Sequence, residues 1–342
     1  MRVDIKKHKL TFKQPSRTSR GVLTQKQSWF VILQKDGKIG VGECSLIQGL
    51  SPDARPDFEE KIHQVTQIFA EEEILPDLSA WPAIKMGFET ALLSLKAPHW
   101  WEPFPSPFSR GEDFLPINGL VWMGSQAFMS EQIKTLLKNG YTFIKLKIGA
   151  IDFDQELDLI KAIRNEFSAR EVTIRVDANG AFAPQEALGK LNQLSAFEIH
   201  SIEQPIAPNN FEEMAFLCQK SPLPIALDEE LIGVCGSVKK EKILEEIQPQ
   251  FLILKPSLLG GFQETQEWIQ MAKKRNIGWW VTSALESNIG LNAIAQWTYS
   301  LNINVPQGLG TGSLFTNNID LPLQVDCGRL SIEVGGVWNL NF

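Results

Sequence analysis

The chain has 342 residues, 43% of them hydrophobic, which is enough for the core of one large domain or two moderate ones. A formal net charge of -7 argues against the concentrated basic face of a nucleic-acid binding protein. No apolar run reaches membrane-spanning length, and the start lacks the apolar core of a signal peptide. We therefore expect a cytoplasmic protein that acts on small molecules, with no nucleic-acid or membrane partner, while a homo-oligomer stays open.

The first elements in the chain predict a small α+β domain. The stretch QSWFVILQKDGKIGVGEC (27–44) is typical of a β-hairpin that turns at DGK, because Asp-Gly favours tight hairpin turns. Apolar residues at helical spacing then predict two helices, FEEKIHQVTQIFAEEE (58–73) and AIKMGFETALLSLKA (83–97).

From about residue 115 onward, short β-rich apolar runs alternate with stretches at helical spacing, a rhythm typical of a parallel sheet covered by helices. Seven such units precede a last candidate strand near VPQGLG (305–310). So many units without a visible reversal favour a closed (β/α) barrel over an open doubly wound sheet. The seven strand runs are PINGLVW, FIKLKIG, VTIRVDA, IHSIEQP, PIALDEE, FLILKPS and IGWWVTSA.

The predicted organisation has three parts. An α+β domain takes residues 1–112, near a linker-like SPFSRGEDF, and the barrel takes residues 113–311. The remaining segment, 312–342, contains strand-like stretches that come too late to belong to the barrel. We expect this C-terminal segment to return to the first domain.

Two lysines interrupt the second barrel strand. FIKLKIG (143–149) has the apolar residues of a buried parallel strand, yet Lys145 and Lys147 stand two residues apart within it. Because side chains alternate along a strand, both ammonium groups point to the same face. A buried strand thus directs two cations to one place.

Charged residues also stand at the carboxyl ends of the following strands, where a (β/α) barrel builds its active site. The third, fourth and fifth strands end in Asp177, Glu203 and Asp228, and the sixth ends in Lys255. Alone, each would be read as a helix cap or a solvated lysine. Together they would place several charges close to one another at one mouth of the barrel, which costs free energy unless a metal ion and an anionic ligand compensate these charges. Oxygen ligands indicate a hard cation such as magnesium rather than zinc.

The ordered motifs KLK, VDAN, IEQP, ALDEE and LKPS closely resemble the enolase superfamily, in the branch that contains muconate cycloisomerase, o-succinylbenzoate synthase and the dipeptide epimerases. The resemblance covers essentially the whole chain. It implies an α/β fold in which an α+β capping domain covers a modified (β/α) barrel. It also implies a Mg2+ ion on three carboxylates, with Mn2+ as the alternative, and a lysine on each side of a small carboxylate substrate.

Carried onto this sequence, the resemblance implies Asp177, Glu203 and Asp228 as metal ligands, Lys147 as the base and Lys255 as the opposing lysine. A proton next to a carboxylate is weakly acidic, and a divalent metal stabilises the charge that its removal leaves. A lysine must be neutral to accept this proton, and a second ammonium group nearby lowers its pKa. The implied arrangement therefore suits proton abstraction.

Other residues are expected to assist. Lys145 would tune the base and orient the substrate carboxylate, although simple pairing with the neighbouring carboxylates stays open for it. Ser283, at the end of the seventh strand, is expected to hydrogen-bond the substrate, with Ser287 as a weaker candidate. Arg20 is a candidate because RTSRG and QGLSPDAR resemble the two loops that cover the substrate in this superfamily. The expected supporting residues are Lys145, Arg175, Asn179 and Glu229.

Four features, PINGLVWMG, SALESNIGLNAIAQW, GLGTGSLFTNN and an arginine two residues before Asp177, resemble the o-succinylbenzoate synthases. That family implies a lyase of menaquinone biosynthesis, with metal-assisted syn dehydration of 2-succinyl-6-hydroxy-2,4-cyclohexadiene-1-carboxylate to o-succinylbenzoate. A histidine base is disfavoured because the seventh strand ends in TSALES. The acidic pair typical of dipeptide epimerases is missing from QGLGTGSLFTNN. An N-acylamino acid racemase or dipeptide epimerase stays open, and less so a non-catalytic barrel.

Overall fold

A computed structural model of the chain describes residues 1–18 and 21–340. Three antiparallel strands pair in the order β1-β2-β3. They are β1 (Arg2–Thr18), β2 (Gly21–Lys35) and β3 (Lys38–Ser45). The predicted hairpin is confirmed, because Asp36 and Gly37 join β2 to β3 with φ values of 52° and 75°, the left-handed conformation of a tight hairpin turn.

Two helices cover one face of this sheet, as predicted. They are α1 (Phe58–Glu72) and α2 (Pro82–Lys96). Their apolar residues, including Phe69 and Phe88, form a core with Trp29 and other side chains of the sheet. Helix α2 approaches β3 closely at Gly42, where a Cβ atom would lie 2.0 Å from the carbonyl oxygen of Gly87. These elements form the predicted capping domain.

The first predicted barrel strand, PINGLVW, is divided into two short strands. These are β4 (Leu115–Pro116) and β5 (Gly119–Val121). From β5 to β11 the described part of the chain forms a seven-stranded parallel sheet in sequence order. The further strands are β6 (Phe143–Lys147), β7 (Thr173–Asp177), β8 (Ser201–Glu203), β9 (Ile225–Leu227), β10 (Phe251–Leu254) and β11 (Gly278–Val281).

The last candidate strand, near VPQGLG, joins the two edges of this sheet through single bridges. Gln307 pairs in parallel with Ile117 beside β5, and Gly308 pairs in parallel with Thr282 beside β11. The amide of Gly308 donates to the carbonyl of Val281 at 2.9 Å, and the amide of Gln307 donates to β4. The sheet is thereby closed into a barrel.

Helices surround the barrel. They are α3 (Gln126–Lys138), α4 (Phe153–Glu166), α5 (Pro184–Ser195), α6 (Phe211–Lys220), α7 (Ser237–Ile247), α8 (Pro256–Leu259), α9 (Phe262–Lys274) and α10 (Asn288–Ser300). Ile144 and Leu146 of β6 are fully buried in the core shared with these helices, so the alternate residues Lys145 and Lys147 face the barrel interior. Within residues 1–18 and 21–340 no helix has the length and apolarity needed to cross a membrane.

The C-terminal segment contacts both domains. Phe315 forms a bridge with Phe12 of β1, and Trp338 stacks on Trp101 with ring centroids 4.5 Å apart. The hairpin of β12 (Leu323–Asp326) and β13 (Arg329–Ile332) instead pairs with β4. Phe315 before the hairpin and Trp338 after it therefore contact the first domain, whereas the hairpin between them extends the barrel side. The three-part division stays a prediction.

Candidate active site

The carboxyl ends of the barrel strands bring the predicted charged residues to one rim. Lys147 is the register partner of Asp177, and Asp177 is the register partner of Glu203, so β6, β7 and β8 end at the same level. Asp228 and Lys255 directly follow β9 and β10. The five residues that the sequence analysis places at strand ends therefore meet at one mouth of the barrel.

Two lysines share one carboxylate oxygen in this mouth. The Nζ atom of Lys147 lies 3.1 Å from Oδ2 of Asp177, and the Nζ atom of Lys145 lies 2.9 Å from the same oxygen. Lys145 also donates a hydrogen bond to Glu203 Oε2. On the far side, Lys255 donates to Asp228 Oδ2 and lies 3.9 Å from Glu203 Oε1. The mouth is a network of alternating charges.

Burial and neighbouring charge shift the carboxylates in opposite directions. Asp177, Glu203 and Asp228 are 0%, 2% and 1% exposed. Burial, reinforced by the charge of Asp177, raises the pKa of Glu203 above its usual range. Burial acts in the same sense on Asp177, but the ammonium groups of Lys145 and Lys147 outweigh it and hold the pKa of Asp177 well below its usual range. Glu203 is therefore the carboxylate whose charge is least compensated.

The same balance applies to two of the lysines. Burial acts to lower the pKa of Lys145, but the charges of Asp177 and Glu203 outweigh it and leave that pKa raised. The pKa of Lys255 is raised in the same way, with Asp228 as the largest opposing charge. Both side chains are therefore ammonium groups held by buried carboxylates.

The donor set fits a hard divalent cation. Three carboxylates end three adjacent strands, and Oε1 of Glu203 is buried with no hydrogen-bond partner among the described residues. Lysine ammonium groups pair with these carboxylates in the structure. Among the described residues, no three acidic, histidine or cysteine side chains are already arranged to hold a metal ion. The residues that would hold the ion are thus Asp177, Glu203 and Asp228, through oxygens now paired with lysines.

Asn179 and Glu229 extend the network on the side of the predicted base. The side-chain oxygen of Asn179 accepts from Lys147 at 2.7 Å, and its amide nitrogen donates to Glu229 Oε1 at 3.1 Å. Asn179 has a φ of 45°, and its backbone amide donates to Asp177 Oδ1 at 2.9 Å. The turn after β7 thus orients both Asp177 and Lys147.

Arg175 lies one layer deeper in the barrel, as the register partner of Lys145. Its guanidinium carbon lies 3.8 Å from the ring centroid of Trp280, and Nη1 donates to the carbonyl of Pro306 at 2.9 Å. Burial lowers the pKa of Arg175 to about 10. Arg175 therefore supports the charged layer from below and does not line the cavity above it.

A cavity of about 500 Å³ opens above the lysines, which is the size of a small-molecule site. Its charged floor consists of Lys145, Lys147, Glu229 and Lys255, with the neutral Asn179 between them. Asp177, Glu203 and Asp228 do not line the cavity. The capping domain contributes an apolar roof. The roof residues are Val22, Leu23, Ile47 and Leu50.

The three predicted substrate-binding residues are placed differently. Ser283 lines the cavity, and its hydroxyl lies 2.6 Å from Thr311 Oγ1. Ser287 is fully buried behind the cavity, where its hydroxyl donates to Glu43 and accepts from the amide of Ile289. Arg20 lies outside the described residues.

Two further residues, Thr311 and Trp122, belong to the site but are not among the predicted site residues. Thr311 follows the barrel-closing segment, and its hydroxyl meets that of Ser283. Trp122 follows β5, and the Nζ atom of Lys147 lies 5.9 Å from its ring centroid. Trp122 directly follows a barrel strand, as two of the predicted charged residues do. If the search of strand ends had included apolar residues, it would have found Trp122.

Comparisons with known proteins find relatives that match most of the chain. Residues 129–334 match the family described as enolase C-terminal domain-like. The chain is 47% identical to the o-succinylbenzoate synthase of Desulfotalea psychrophila (strain LSv54 / DSM 12343), over 97% of this chain and 99% of that protein. It is 27% identical to the D-Ala-D/L-Ala epimerase of Cytophaga hutchinsonii, over 86% of this chain and 82% of the epimerase.

A solved structure is similar over the same extent. The crystal structure of MenC from Desulfotalea psychrophila LSv54 matches with a TM-score of 0.86 and 44% identity. The match covers 96% of this chain and 99% of that chain. The capping domain and the barrel are therefore both included in the similarity.

Proposed function

Because the chain belongs to the enolase superfamily and, within it, to the o-succinylbenzoate synthases, we propose that Lys147 and Lys255 act on opposite faces of one bound substrate. The reaction is the dehydration of 2-succinyl-6-hydroxy-2,4-cyclohexadiene-1-carboxylate to o-succinylbenzoate, a lyase step of menaquinone biosynthesis. The observation that carries the assignment of roles is the placement of the two lysines. Lys147 ends β6 and Lys255 follows β10, with three strands between these two, and both lysines line the floor of the cavity.

Lys147 is the proposed base and acid. In its neutral form it removes the proton from the ring carbon next to the carboxylate, and it then returns that proton to the departing hydroxyl on the same face. Loss of water makes the ring aromatic. The contacts of Lys147 with Asp177 and Asn179 hold its Nζ atom at the cavity floor, where both proton transfers take place.

The negative charge left by proton removal needs positive partners. Asp177, Glu203 and Asp228 would hold a divalent cation, which would supply Lewis-acid stabilisation of the substrate carboxylate. Lys255, held by Asp228, places its ammonium group where it faces the planar ring. Mg2+ is the proposed ion, with Mn2+ as the alternative.

The capping domain completes the site. Its apolar roof covers the ring and limits access of water to the charged floor, which strengthens each electrostatic interaction there. Ser283 is proposed to hydrogen-bond the substrate, because its hydroxyl lines the cavity. A cytoplasmic location and a homo-oligomeric state stay predictions.

The proposed reaction is tested by following the absorbance change as the ring becomes aromatic. Purified protein with Mg2+ should convert the cyclohexadiene to o-succinylbenzoate, and Lys147→Ala should abolish both this conversion and exchange of the substrate's alpha proton with deuterium. Turnover by Lys147→Ala at the wild-type rate would remove Lys147 from the mechanism.

One alternative activity is favoured by a specific observation. Two lysines that line one cavity from separate strands, Lys147 and Lys255, also suit 1,1-proton transfer, and the chain is similar to an epimerase over most of its length. Racemisation of N-succinylamino acids should therefore be measured beside dehydration. Fast racemisation with no detectable dehydration would favour the alternative.

A further inference from the structure

A buried polar network connects the capping domain to the loop that follows β11. We call residues 282–287, between β11 and α10, the β11–α10 loop. Ser283 and Leu285 of this loop line the substrate cavity. The capping-domain members of the network are Lys26, Ser28, Glu43 and Ser45, and each is at most 6% exposed.

Lys26 holds the loop through one backbone carbonyl and through Ser45. Its Nζ atom donates to the carbonyl of Leu285 at 2.8 Å, to Ser45 Oγ at 2.5 Å and to Ser28 Oγ at 3.2 Å. Ser45 in turn donates to the carbonyl of Ala284 at 3.2 Å. The three protons of the ammonium group therefore all have acceptors, and two successive loop carbonyls are bound by capping-domain side chains.

Glu43 holds the other end of the loop. Its carboxylate accepts from the amides of Ser287 and Gly290, both at 3.0 Å, and from the hydroxyl of Ser287. These amides open helix α10, where a carboxylate also interacts favourably with the helix dipole. Gly290 is required for this approach, because a Cβ atom there would lie 2.9 Å from Glu43 Oε2.

The loop conformation needs such support. Leu285 has a φ of 60°, a left-handed conformation that costs free energy for a residue with a branched side chain and persists where surrounding contacts fix it. The amide of Leu285 donates to Ser283 Oγ at 2.9 Å. The conformation of Leu285 is thus tied to the direction of the Ser283 hydroxyl.

We propose that Lys26 and Glu43 are positioning residues for substrate binding: they fix the β11–α10 loop so that the Ser283 hydroxyl and the Leu285 side chain face the cavity. This inference rests on the proposed role of Ser283 at the substrate. Lys26 and Glu43 act through the loop, since their hydrogen bonds go to loop atoms, to the amide of Gly290 in the first turn of α10 and to serines of the capping sheet. The capping domain thereby adjusts affinity as well as covering the site.

The test compares four variants of the Mg2+-loaded enzyme: Lys26→Met, Ser45→Ala, Ser283→Ala and the control Lys240→Met. Lys240 is also fully buried and pairs with Glu264 and Glu267, but it lies between α7 and α9. Each variant is measured for KM, kcat, thermal midpoint and the Kd of the product o-succinylbenzoate. Lys26→Met and Lys240→Met each remove a buried ammonium group from its polar partners. If a loss of stability alone raised KM, both variants would therefore show it.

We expect Lys26→Met to raise KM and the product Kd about tenfold while kcat changes less, because the loss of hydrogen bonds to one charged group is passed to ligand binding. Ser45→Ala should raise both about twofold to threefold. Lys240→Met should lower the thermal midpoint and leave KM within about twofold of wild type.

The outcomes separate the inference from the proposed function. If Ser283→Ala raises KM but Lys26→Met and Ser45→Ala do not, the positioning role is overturned and the role of Ser283 stands. If Ser283→Ala leaves KM and product Kd unchanged, the substrate contact of Ser283 fails and the inference fails with it. Should Lys26→Met not fold, Ser45→Ala decides.

Discussion

Lys147 and Asp177 form an ion pair of 3.1 Å at the carboxyl ends of neighbouring strands, so the proposed base contacts a proposed metal ligand. The oxygen of Asp177 that Lys147 contacts is also one that a bound cation would use. This contact must therefore change in the loaded site. Asp177 therefore has two uses, as a partner of lysine in this state and as a cation ligand in the loaded site.

The two lysines should respond differently to arginine. Lys147→Arg should leave no dehydration, because a guanidinium has no accessible neutral form to accept the proton. Lys255→Arg should impair turnover yet leave some, because the charge that faces the ring is kept while its shape and reach change. The measurement is kcat of both variants side by side.

The same pair separates dehydration from racemisation. A racemase needs a donor and an acceptor on opposite faces, so both substitutions should then be comparably damaging to inversion. Substantial dehydration that survives in Lys147→Arg would show that the base belongs to another strand.

Cation binding should stabilise the folded protein through the three strand-end carboxylates. At a Mg2+ concentration of about 100 times its Kd, the free energy of unfolding should rise by about 2.7 kcal/mol, since the unfolded chain has no such site. Chelator should remove both this increase and the activity. Asp177→Ala should lose the response to Mg2+ while it stays folded.

A matched control for this prediction is Glu264→Ala. Glu264 also pairs with two lysines, Lys85 and Lys240, but at the junction of α9 with α2 and α7. Its replacement should cost stability yet keep the full increase with Mg2+. An equal loss of the Mg2+ response in both variants would mean that the ion acts by general charge screening.

The charged rim could be predicted because strand-end positions are visible in a one-dimensional pattern. Lys147, Asp177 and Glu203 each close an apolar run, and a barrel brings all such positions to one mouth. The hairpin, the two capping helices and the seven strand runs follow from period and turn chemistry in the same way. Their pairing order needs only the rule that successive βα units lie side by side.

The remaining features depend on contacts between distant segments. Strand β1 is missing from the predicted elements although MRVDIKKHKLTFK alternates charged and apolar residues, the pattern of a strand with one buried face. The roles of Lys26 and Glu43 could not be predicted, because a lysine and a glutamate in a hairpin are usually exposed. Only the fold shows that the β11–α10 loop packs against them. Ser287 carries a cap signal at the start of α10, and the structure places it in that role.

Gly290 should not tolerate a methyl group. In Gly290→Ala the new Cβ would lie 2.8 Å from Glu286 Cγ and 2.9 Å from Glu43 Oε2, so the capping contact must shift. We expect a loss of about 1–3 kcal/mol in the free energy of unfolding, as for overpacked interior sites, together with a higher KM. Urea denaturation and steady-state kinetics provide the two measurements.

Gly189→Ala is the matched control for that substitution. Gly189 lies within α5, and a Cβ atom there would have nothing within 4 Å. Alanine should therefore stabilise the protein by about 0.5–1 kcal/mol through its better helix propensity, with no change in KM. A gain of stability in Gly290→Ala as well would contradict the packing described at the start of α10.

Asp53 should make stability fall as pH rises toward neutrality. Its Oδ2 atom accepts from the amide of Ala83 at 2.8 Å at the start of α2, and the residue is 0% exposed. Burial raises the pKa of Asp53 to about 6, although hydrogen bonds from the amides of Ala83 and Ile84 act against it. The folded protein thus holds this proton more tightly than the unfolded chain does. The resulting stabilisation is present below the unfolded pKa and is lost as pH rises through the folded one.

Asp53→Asn removes this dependence, because the amide is neutral throughout and can still accept from Ala83. Between pH 5 and pH 7 the wild type should lose about 1 kcal/mol more unfolding free energy than Asp53→Asn does. The control is Asp77→Asn, since Asp77 is exposed and hydrogen bonds from Ser79 lower its pKa. Urea denaturation at pH 5 and at pH 7 gives the change in unfolding free energy for the wild type and for each of the two variants. Parallel curves for wild type and Asp53→Asn would show that Asp53 is charged in the folded protein across this range.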